Sequence, residues 1–332
     1  MTMKLLNPPA VRGVVIACYI GICAGSAFAQ APGAYYPAKP VRIILGFPAG
    51  SGADVPTRVI GQKLSEAMGQ QFLIDNRPGA GSNIGTAFAA KAAPDGYTIF
   101  LGSVANTINA TLYASLPFDF VRDFAPVALT ASAPNFLVVH PSVPARSVAE
   151  FIKLAKSQPG KLNYASVGVG TMAHLAGELF NSMAGIDTVH IPYKGGPQAT
   201  TDIVGGQFPF MFGISSNVLP HIKSGRLRAL AVTTASRLAW MPEMPTVAES
   251  GLPGFAAVTW WGLMVPTGTP RDIVARLNTE IVNALALRDV REQLANQGID
   301  TLGGTPEQFA AYVRDEITKW ARVIKASGAR AE

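Results

Sequence analysis

Two glycine-bearing turns in this chain have the residue types that bind an anion. The first, Phe47 to Asp54, lies between the apolar run Val41 to Phe47 and a stretch with helical periodicity, Asp54 to Gln70. The first N–H groups of a helix have no partner within it, and the aligned peptide dipoles leave about half a positive charge there. A carboxylate or a phosphate satisfies both. The same pattern also occurs in a plain strand-to-helix connection that binds nothing.

The second turn has the same organisation. It follows the strand-like run Leu162 to Val167 and contains Gly168 and Gly170 before the next helical pattern. Ser166 and Thr171 flank the two glycines, and their hydroxyl groups either donate to a carboxylate or serve only to shape the turn. The sequence therefore offers two helix N-termini for one anionic ligand.

Two ionisable residues next to these turns have two interpretations each. Asp54 either caps the helix that begins there, as aspartate commonly does, or contacts an amine on a ligand. His174, one turn into the second helix, either donates to the ligand or packs inside the domain. Both residues are kept as candidate ligand contacts.

Other chemistries find little support in the residue patterns. The four histidines have neither metal-ligand spacing nor an obvious nucleophile, and a G-x-S-x-G motif is absent. A dyad of Ser166 and His174 would need an orienting acid that the sequence does not identify. The run Gly79 to Gly85 has the spacing G-x-G-x-x-x-G, which differs from the dinucleotide fingerprint. We therefore expect no catalytic residues, no metal and no cofactor.

The first 29 residues predict a signal peptide. Lys4 and Arg12 form a positive region, the stretch from Val14 to Ala27 is apolar, and Ala27-Phe28-Ala29 suits cleavage after Ala29. We expect export to the periplasm, with lipidation at Cys18 as the alternative. The net charge of +6 is spread along the chain, so a nucleic-acid partner is not expected.

Strand-like and helical patterns alternate along the rest of the chain, which predicts an α/β fold with mainly parallel sheets. The strand-like runs are Val41–Phe47, Gln71–Asp75, Tyr97–Gly102, Val127–His140, Leu162–Val167, Thr188–Tyr193, Phe208–Phe212, Leu227–Thr234 and Val258–Val265. The fourth run is too long for one ordinary strand and contains Pro134, so we expect it to pass from one sheet into another. We expect the ninth run, Val258–Val265, to return from the second sheet to the first. This predicts a first lobe of residues 30–130 plus 253–332 and a second lobe of residues 131–252.

A set of motifs in fixed order resembles one known family over nearly the whole chain after residue 29. The motifs are Tyr36-Pro-Ala-Lys-Pro-Val-Arg42, Phe47-Pro-Ala-Gly-Ser-Gly-Ala-Asp54, Asn76-Arg-Pro-Gly-Ala-Gly-Ser-Asn-Ile-Gly85, Ala93-Pro-Asp-Gly-Tyr-Thr98, Pro192-Tyr-Lys-Gly195, Arg228-Ala-Leu-Ala-Val232 and Trp261-Gly-Leu-Met-Val-Pro-Thr-Gly-Thr-Pro270. The chain resembles the periplasmic substrate-binding proteins of tripartite tricarboxylate transporters, also called Bug proteins.

The resemblance implies a periplasmic binding protein fold, type II-like, with two α/β lobes around a cleft. It further implies a monomer that captures a small carboxylate or dicarboxylate and delivers it to the membrane subunits of the transporter. A receptor that presents its ligand to a sensor kinase is the alternative, and a hydrolytic enzyme is a third. The implied ligand contacts are Phe47, Ala49, Gly50, Asp54, Ser103, Asn106, Ser166, Gly168, Gly170, Thr171, His174 and Tyr193. Gly213 stands where relatives often carry an acidic residue, which disfavours a ligand that ends in an amine.

Overall fold

The computed structural model describes residues 36–331, so the signal peptide predicted for residues 1–29 lies outside the described residues. The strands are β1 (Val41–Leu45), β2 (Phe72–Asn76), β3 (Thr98–Ser103), β4 (Phe124–Val139), β5 (Asn163–Ser166), β6 (Val189–Pro192), β7 (Phe210–Ile214), β8 (Arg228–Val232), β9 (Val258–Pro266) and β10 (Asp300–Thr301). The helices are α1 (Asp54–Met68), α2 (Asn83–Ala90), α3 (Val104–Leu112), α4 (Val148–Ser157), α5 (Met172–Ala184), α6 (Gly196–Val204), α7 (Ser215–Lys223), α8 (Arg271–Ala286), α9 (Arg288–Ala295) and α10 (Pro306–Ser327). A 3₁₀ turn at Ala80–Ser82 precedes α2.

The strands form a mixed sheet in the order β2-β1-β3-β9-β4-β7-β5-β6. Its two outer parts are parallel: β1 pairs with β2 and β3, and β5 pairs with β6 and β7. We call β2-β1-β3 the first parallel group and β7-β5-β6 the second. The central strands β9 and β4 are antiparallel to their neighbours. The predicted α/β class is confirmed, whereas the expectation of mainly parallel sheets is wrong for this centre.

Strand β4 connects the two parallel groups. It pairs with β9 from Phe124 to Pro134 and with β7 from Asn135 to Val139. Register shifts interrupt its pairing with β9, and such irregularities bend and twist a strand. The passage of this long strand from one set of partners to another therefore occurs at Pro134, which cannot donate to a ladder.

The inner strands of the parallel groups, β1, β3, β5 and β7, are mostly buried, whereas the edge strands β2 and β6 are partly exposed. In β1, Ile43 and Leu45 point into one cluster of buried side chains and Ile44 points into another, as the two-residue period of a strand requires. The helices follow their apolar stripes, and α10 begins with the predicted capping box of Thr305 and Gln308. This packing fixes the carboxyl ends of the strands, from which the site is built.

A buried carboxylate joins the last helix to the central sheet. The Nε1 atoms of Trp260 on β9 and Trp320 on α10 both donate to Glu316 Oε2, each at 3.0 Å. Lys319 Nζ lies 3.0 Å from Glu316 Oε1, and the Glu316 residue is only 6% exposed. Glu316 thus forms an ion pair with Lys319 on the surface side and accepts hydrogen bonds from two buried indole groups on the inner side.

We expect Glu316→Ala to lower the free energy of unfolding by about 3 kcal/mol, because it leaves two buried indole donors without an acceptor. Asp315→Ala, an exposed position on the same helix, should change it by less than about 0.5 kcal/mol. Guanidinium unfolding of both variants measures the difference. Equal stability of the two variants would contradict a structural role for this carboxylate.

Candidate ligand-binding site

Five helices begin at the wall of one cavity, which we call the cleft cavity. Each of them follows the carboxyl end of a strand in one of the parallel groups. The helix starts in the wall are Gly52–Ala53 (α1), Ser103–Ala105 (α3), Thr171–Ala173 (α5), Gly195–Gly196 (α6) and Ile214 with Asn217 (α7). Two of the helices follow strands of the first parallel group and three follow strands of the second. The cavity therefore lies between the groups, where open α/β sheets bind ligands.

The N-termini at this cavity keep free donors. No side chain of the described residues caps the first turns of α1, α5, α6 or α7. By contrast, Ser147 and Thr305 accept hydrogen bonds from the first turns of α4 and α10, which do not reach the cavity. Backbone N–H groups at the cavity therefore remain for a ligand or for water.

The rest of the wall is uncharged and mostly apolar. Among the described residues, none of those that line the cavity is Asp, Glu, Lys, Arg or His. Phe47, Phe212 and Trp261 are among its apolar members, and its volume is about 70 Å³, room for several water molecules or one small organic molecule. Ser51 in the wall is 7% exposed, and its Oγ has no hydrogen-bond partner within residues 36–331. This hydroxyl is therefore available as a donor and as an acceptor at the cavity wall.

The first predicted turn holds its shape through Asp54. Its Oδ2 accepts from the N–H of Gly50 at 3.0 Å and from Arg58 Nε at 2.8 Å, while its Oδ1 accepts from Asn76 Nδ2 at 3.0 Å. These bonds hold the pKa of Asp54 below its usual value even though burial opposes this. Ala53, not Asp54, is the N-cap residue of α1. The capping interpretation is therefore wrong, and Asp54 instead ties the turn to β2.

In the second predicted turn, the glycine N–H groups donate to side chains of the same segment. The N–H of Gly168 donates to Ser166 Oγ at 3.1 Å, and that of Gly170 donates to His174 Nδ1 at 3.3 Å. Ser166 lies 2.6 Å from His190 Nε2 rather than beside His174, so the serine–histidine pair differs from the one considered from the sequence. Because Ser166 Oγ also donates to the carbonyl of Gly168, His190 Nε2 is the donor in that pair. Ser166 is fully buried.

Two stacked imidazoles support this turn. The rings of His174 and His190 lie 4.1 Å apart at 22°. Burial lowers the pKa of His174 to about 4, and burial together with the neighbouring His174 ring lowers the pKa of His190 to about 3. Both rings are therefore neutral at neutral pH, and His174 Nδ1 is free to accept from Gly170.

The predicted contacts fall into three groups. Phe47, Ser103 and Thr171 line the cleft cavity. Gly168, His174 and Tyr193 line a larger neighbouring cavity of about 880 Å³, together with Phe47 and Thr171. Six predicted contacts line neither cavity: Ala49, Gly50, Asp54, Asn106, Ser166 and Gly170. Of these, Ala49 and Gly50 are exposed, and Asn106 is fully buried in hydrogen bonds to Ser103 and Thr86.

Several wall residues lie outside the predicted contact set. Asn135 and Thr259 lie at the crossing of β4 and β9, where Asn135 Nδ2 donates to Thr259 Oγ1 at 2.9 Å. Ile214 and Asn217 lie where β7 runs into α7. The carboxyl ends of the strands could have indicated the second pair, because every parallel strand sends its following helix to this edge. The first pair had no local signal, since it depends on the pairing of two distant strands.

The cavity is closed on two flanks by contacts between residues that follow strands of different groups. On one flank, a Cβ added at Gly52 would lie 3.0 Å from both Ile214 Cδ1 and Ser216 Oγ. On the other, a Cβ at Gly81 would lie 2.5 Å from the carbonyl oxygen of Val169, and one at Gly170 would collide with Asn109 Oδ1. Glycine at these positions lets the two sides approach closely: Gly81 lies against the backbone of Val169, whereas Gly52 and Gly170 lie against side chains.

Within residues 36–331, no helix is both long and apolar enough to cross a membrane. The same part of the chain holds no group of three His, Cys, Asp or Glu residues that could bind a metal ion.

The imidazole pair predicts a loss of stability in acid. Unfolded histidine has a pKa near 6.5, so below that pH the unfolded chain takes up protons that the folded chain refuses until about pH 4. As the pH is lowered through this window, the free energy of unfolding should decrease by up to about 1.4 kcal/mol per pH unit for each histidine. Denaturant unfolding at pH 7 and pH 5 should therefore show a smaller loss for His190→Gln than for the unchanged protein. The same loss in both proteins would contradict the buried, neutral state of His190.

Comparisons with known proteins show which family this chain resembles. Residues 57–329 match the family model described as "Tripartite tricarboxylate transporter family receptor". A Pseudomonas sp. (strain P51) protein encoded in the tcbD-tcbE intergenic region is 41% identical over 290 residues, which cover 87% of this chain and 86% of the relative.

Three solved structures are similar to this chain over most of its length. An R. palustris protein with adipate has a TM-score of 0.86 at 35% identity, with 89% of this chain and 99% of that one covered. The periplasmic binding protein BugD has a TM-score of 0.84 at 30% identity, covering 90% and 100%. MatC from Rhodopseudomonas palustris with bound malate has a TM-score of 0.82 at 31% identity, covering 87% and 100%. The match over most of the chain, in sequence and in fold, confirms the predicted resemblance: the protein belongs to the tripartite tricarboxylate transporter receptor family.

Proposed function

We propose that this protein captures a small organic carboxylate in the cleft cavity and delivers it, chemically unchanged, to the membrane subunits of a tripartite tricarboxylate transporter. The observation that carries the proposal is the meeting of five helix N-termini at an uncharged cavity. Such a wall attracts an anion through oriented amides and dipoles alone. The adipate and malate in two related structures are carboxylates, which supports the same ligand class.

The strength of binding has to come from enclosure as well as from the helix ends. A dissociation constant near 1 μM corresponds to about 8 kcal/mol. One helix end supplies at most about 2 kcal/mol in a partly buried geometry. Direct and water-mediated hydrogen bonds and the apolar walls supply the rest once water is excluded.

In this proposal two lobes close on the ligand. One consists of residues 30–130 plus 253–332 and the other of residues 131–252, with β4 and β9 as the connections between them. The contacts of Gly52 with Ile214 and of Gly81 with Val169 would then form on closure and break on opening. A hinge at the connecting strands would let ligand enter between the two sets of helix ends.

The same proposal includes export and release in the periplasm. The predicted signal peptide would be removed after Ala29, and the protein would act there as a monomer. An enzymatic role has no support from the serine–histidine pair, because Ser166 is fully buried and lines neither cavity. Presentation of the bound ligand to a sensor kinase is the alternative, and identification of the protein partner separates it from delivery to a transporter.

Removal of a single backbone donor tests the site. Ala173→Pro deletes the N–H at the second position of α5, and α6 already carries Pro197 at its own second position. We expect calorimetry with a panel of mono-, di- and tricarboxylates to show binding that the substitution weakens about 10- to 100-fold. Ala149→Pro is the matched control at the second position of α4, which does not reach the cavity. Equal affinity of the two variants, or no binding by any carboxylate, would overturn the proposal.

Closure can be tested through the contact of Gly170 with Asn109. A methyl group at Gly170 collides with Asn109 only while the flank is closed, so Gly170→Ala should open the protein, enlarge its radius of gyration and weaken carboxylate binding by about tenfold. Asn109→Ala in the same chain should restore both properties. Gly225→Ala controls for backbone strain, since Gly225 has a similar φ of +73° against +77° and no atom within 4 Å of an added Cβ. Small-angle scattering and calorimetry that show no rescue by Asn109→Ala would contradict this closure contact.

A further inference from the structure

The stacked imidazoles of His174 and His190 line the neighbouring cavity of about 880 Å³. They lie on the side that belongs to the second parallel group, beside residues 167–169 of the second glycine turn. The opposite side is formed by residues that follow strands of the first parallel group, among them Phe47 and residues 78–82. The imidazole pair therefore faces the gap that the proposed closure would narrow.

A proton on His174 would remove a hydrogen bond from the second turn. Nδ1 of His174 accepts from the N–H of Gly170 at 3.3 Å. A charged imidazole carries a hydrogen on both nitrogens, so neither of them can accept. Gly170 is also the residue at which an added Cβ would collide with Asn109 Oδ1 on the flank of the cleft cavity. A charged His174 would therefore displace the same backbone that forms the closure contact.

His190 would respond differently to a proton. Its Nε2 already donates to Ser166 Oγ, so a proton added to its other nitrogen leaves that bond intact. The ring centroids of His190 and His174 are only 4.1 Å apart, however, and two charged rings at this distance would repel each other. Charging His174 thus breaks a contact in the turn, while His190 opposes a second charge beside it.

Other titratable groups around the pair offer little compensation for a charged ring. Glu178, on the same helix as His174, lies 3.8 Å from His174 Nε2, which is beyond hydrogen-bond distance. Its Oε1 already accepts from the hydroxyl of Tyr164 on β5 at 2.7 Å. The other titratable groups that line the cavity, among the described residues, are neutral or positive at neutral pH: Tyr113, Tyr193, Lys194 and Arg330.

From this geometry we infer that protons oppose ligand capture, because a charged His174–His190 pair is incompatible with the closed cleft. The inference rests on the proposed function and adds a regulation to it. The pair lies outside the wall of the cleft cavity, so its effect on the ligand is exerted through the second turn and the closure contact rather than through direct contact.

Acid should favour the open form. In the closed form, burial lowers the pKa of His174 to about 4, and burial together with the neighbouring ring lowers the pKa of His190 to about 3. An imidazole that water reaches on opening has a pKa of about 6.5. Below that pH the open form binds protons that the closed form does not, and closure has to release them. Ligand affinity should therefore fall as the pH is lowered from about 6.5 towards about 4, and bound ligand should in turn lower the pKa of both histidines.

Near-isosteric variants test the coupling by calorimetry with the tightest binder among adipate, malate, citrate and benzoate. His174→Asn keeps an acceptor in place of Nδ1, and His190→Gln keeps a donor in place of Nε2, but neither side chain titrates. Between pH 7 and pH 5, the affinity of the unchanged protein should fall at least about tenfold more than that of the double variant. Titration of the acid itself is common to both proteins, so the comparison isolates the histidines. His174→Asn alone should remove more of the excess fall than His190→Gln alone.

His140→Asn is the matched control, because His140 lines neither cavity, and it should keep the full fall in affinity. An equal fall in the unchanged protein and the double variant would overturn this inference and leave the carboxylate receptor standing. Relatively tighter binding by the unchanged protein in acid would do the same, since it would show a charged ring attracting the anion. Failure of all four acids to bind would overturn both proposals.

A second measurement needs no variant that might fail to fold. The histidine ring signals of the unchanged protein are followed by NMR as the pH is lowered, with and without a saturating amount of the same acid. The acid should lower the titration midpoints of two histidines by at least about 1 pH unit. Midpoints that the bound acid leaves in place, or raises, would contradict the coupling.

Discussion

Backbone N–H groups without partners in their own helices are the constraint on which this structure depends. Each of the five helices that begin at the cleft cavity must satisfy its first donors with something outside itself. Side chains cap α4 and α10 elsewhere in the protein, but four of the five helices at the cavity have no such cap. The first donors of these uncapped helices must be satisfied by water or by an anion.

The side chains around the turns fix geometry rather than contribute charge. The carboxylate oxygens of Asp54 accept hydrogen bonds from the first turn and from β2. In the second turn, Ser166 accepts from the N–H of Gly168, and His174 accepts from the N–H of Gly170. With these groups engaged, the amides left for a ligand lie at the helix starts that follow, near Ala53 and Met172. The glycines let the chain turn, while the next residues form the wall.

The central antiparallel strands decide where the helix ends meet. Because β4 pairs with β9 up to Pro134 and with β7 from Asn135, the two parallel groups face each other across one crossing. The same crossing places Asn135 and Thr259 in the cavity wall. A different strand order would leave the helix ends of the two parallel groups apart rather than at one cavity.

The sequence by itself determined the local features: the nine longer strands within a few residues of their ends, both glycine turns, the capping box of α10 and the family resemblance. Hydrophobic period, turn residues and caps act between near neighbours, so they are visible in the order of residues. Only the tertiary structure decided which helix ends share a cavity, that β9 and β4 are antiparallel, and that Ser166 pairs with His190 rather than His174. These outcomes depend on contacts between residues distant in sequence. Asn135 and Thr259, 124 positions apart in the chain and 2.9 Å apart in the fold, show why no local pattern could indicate them.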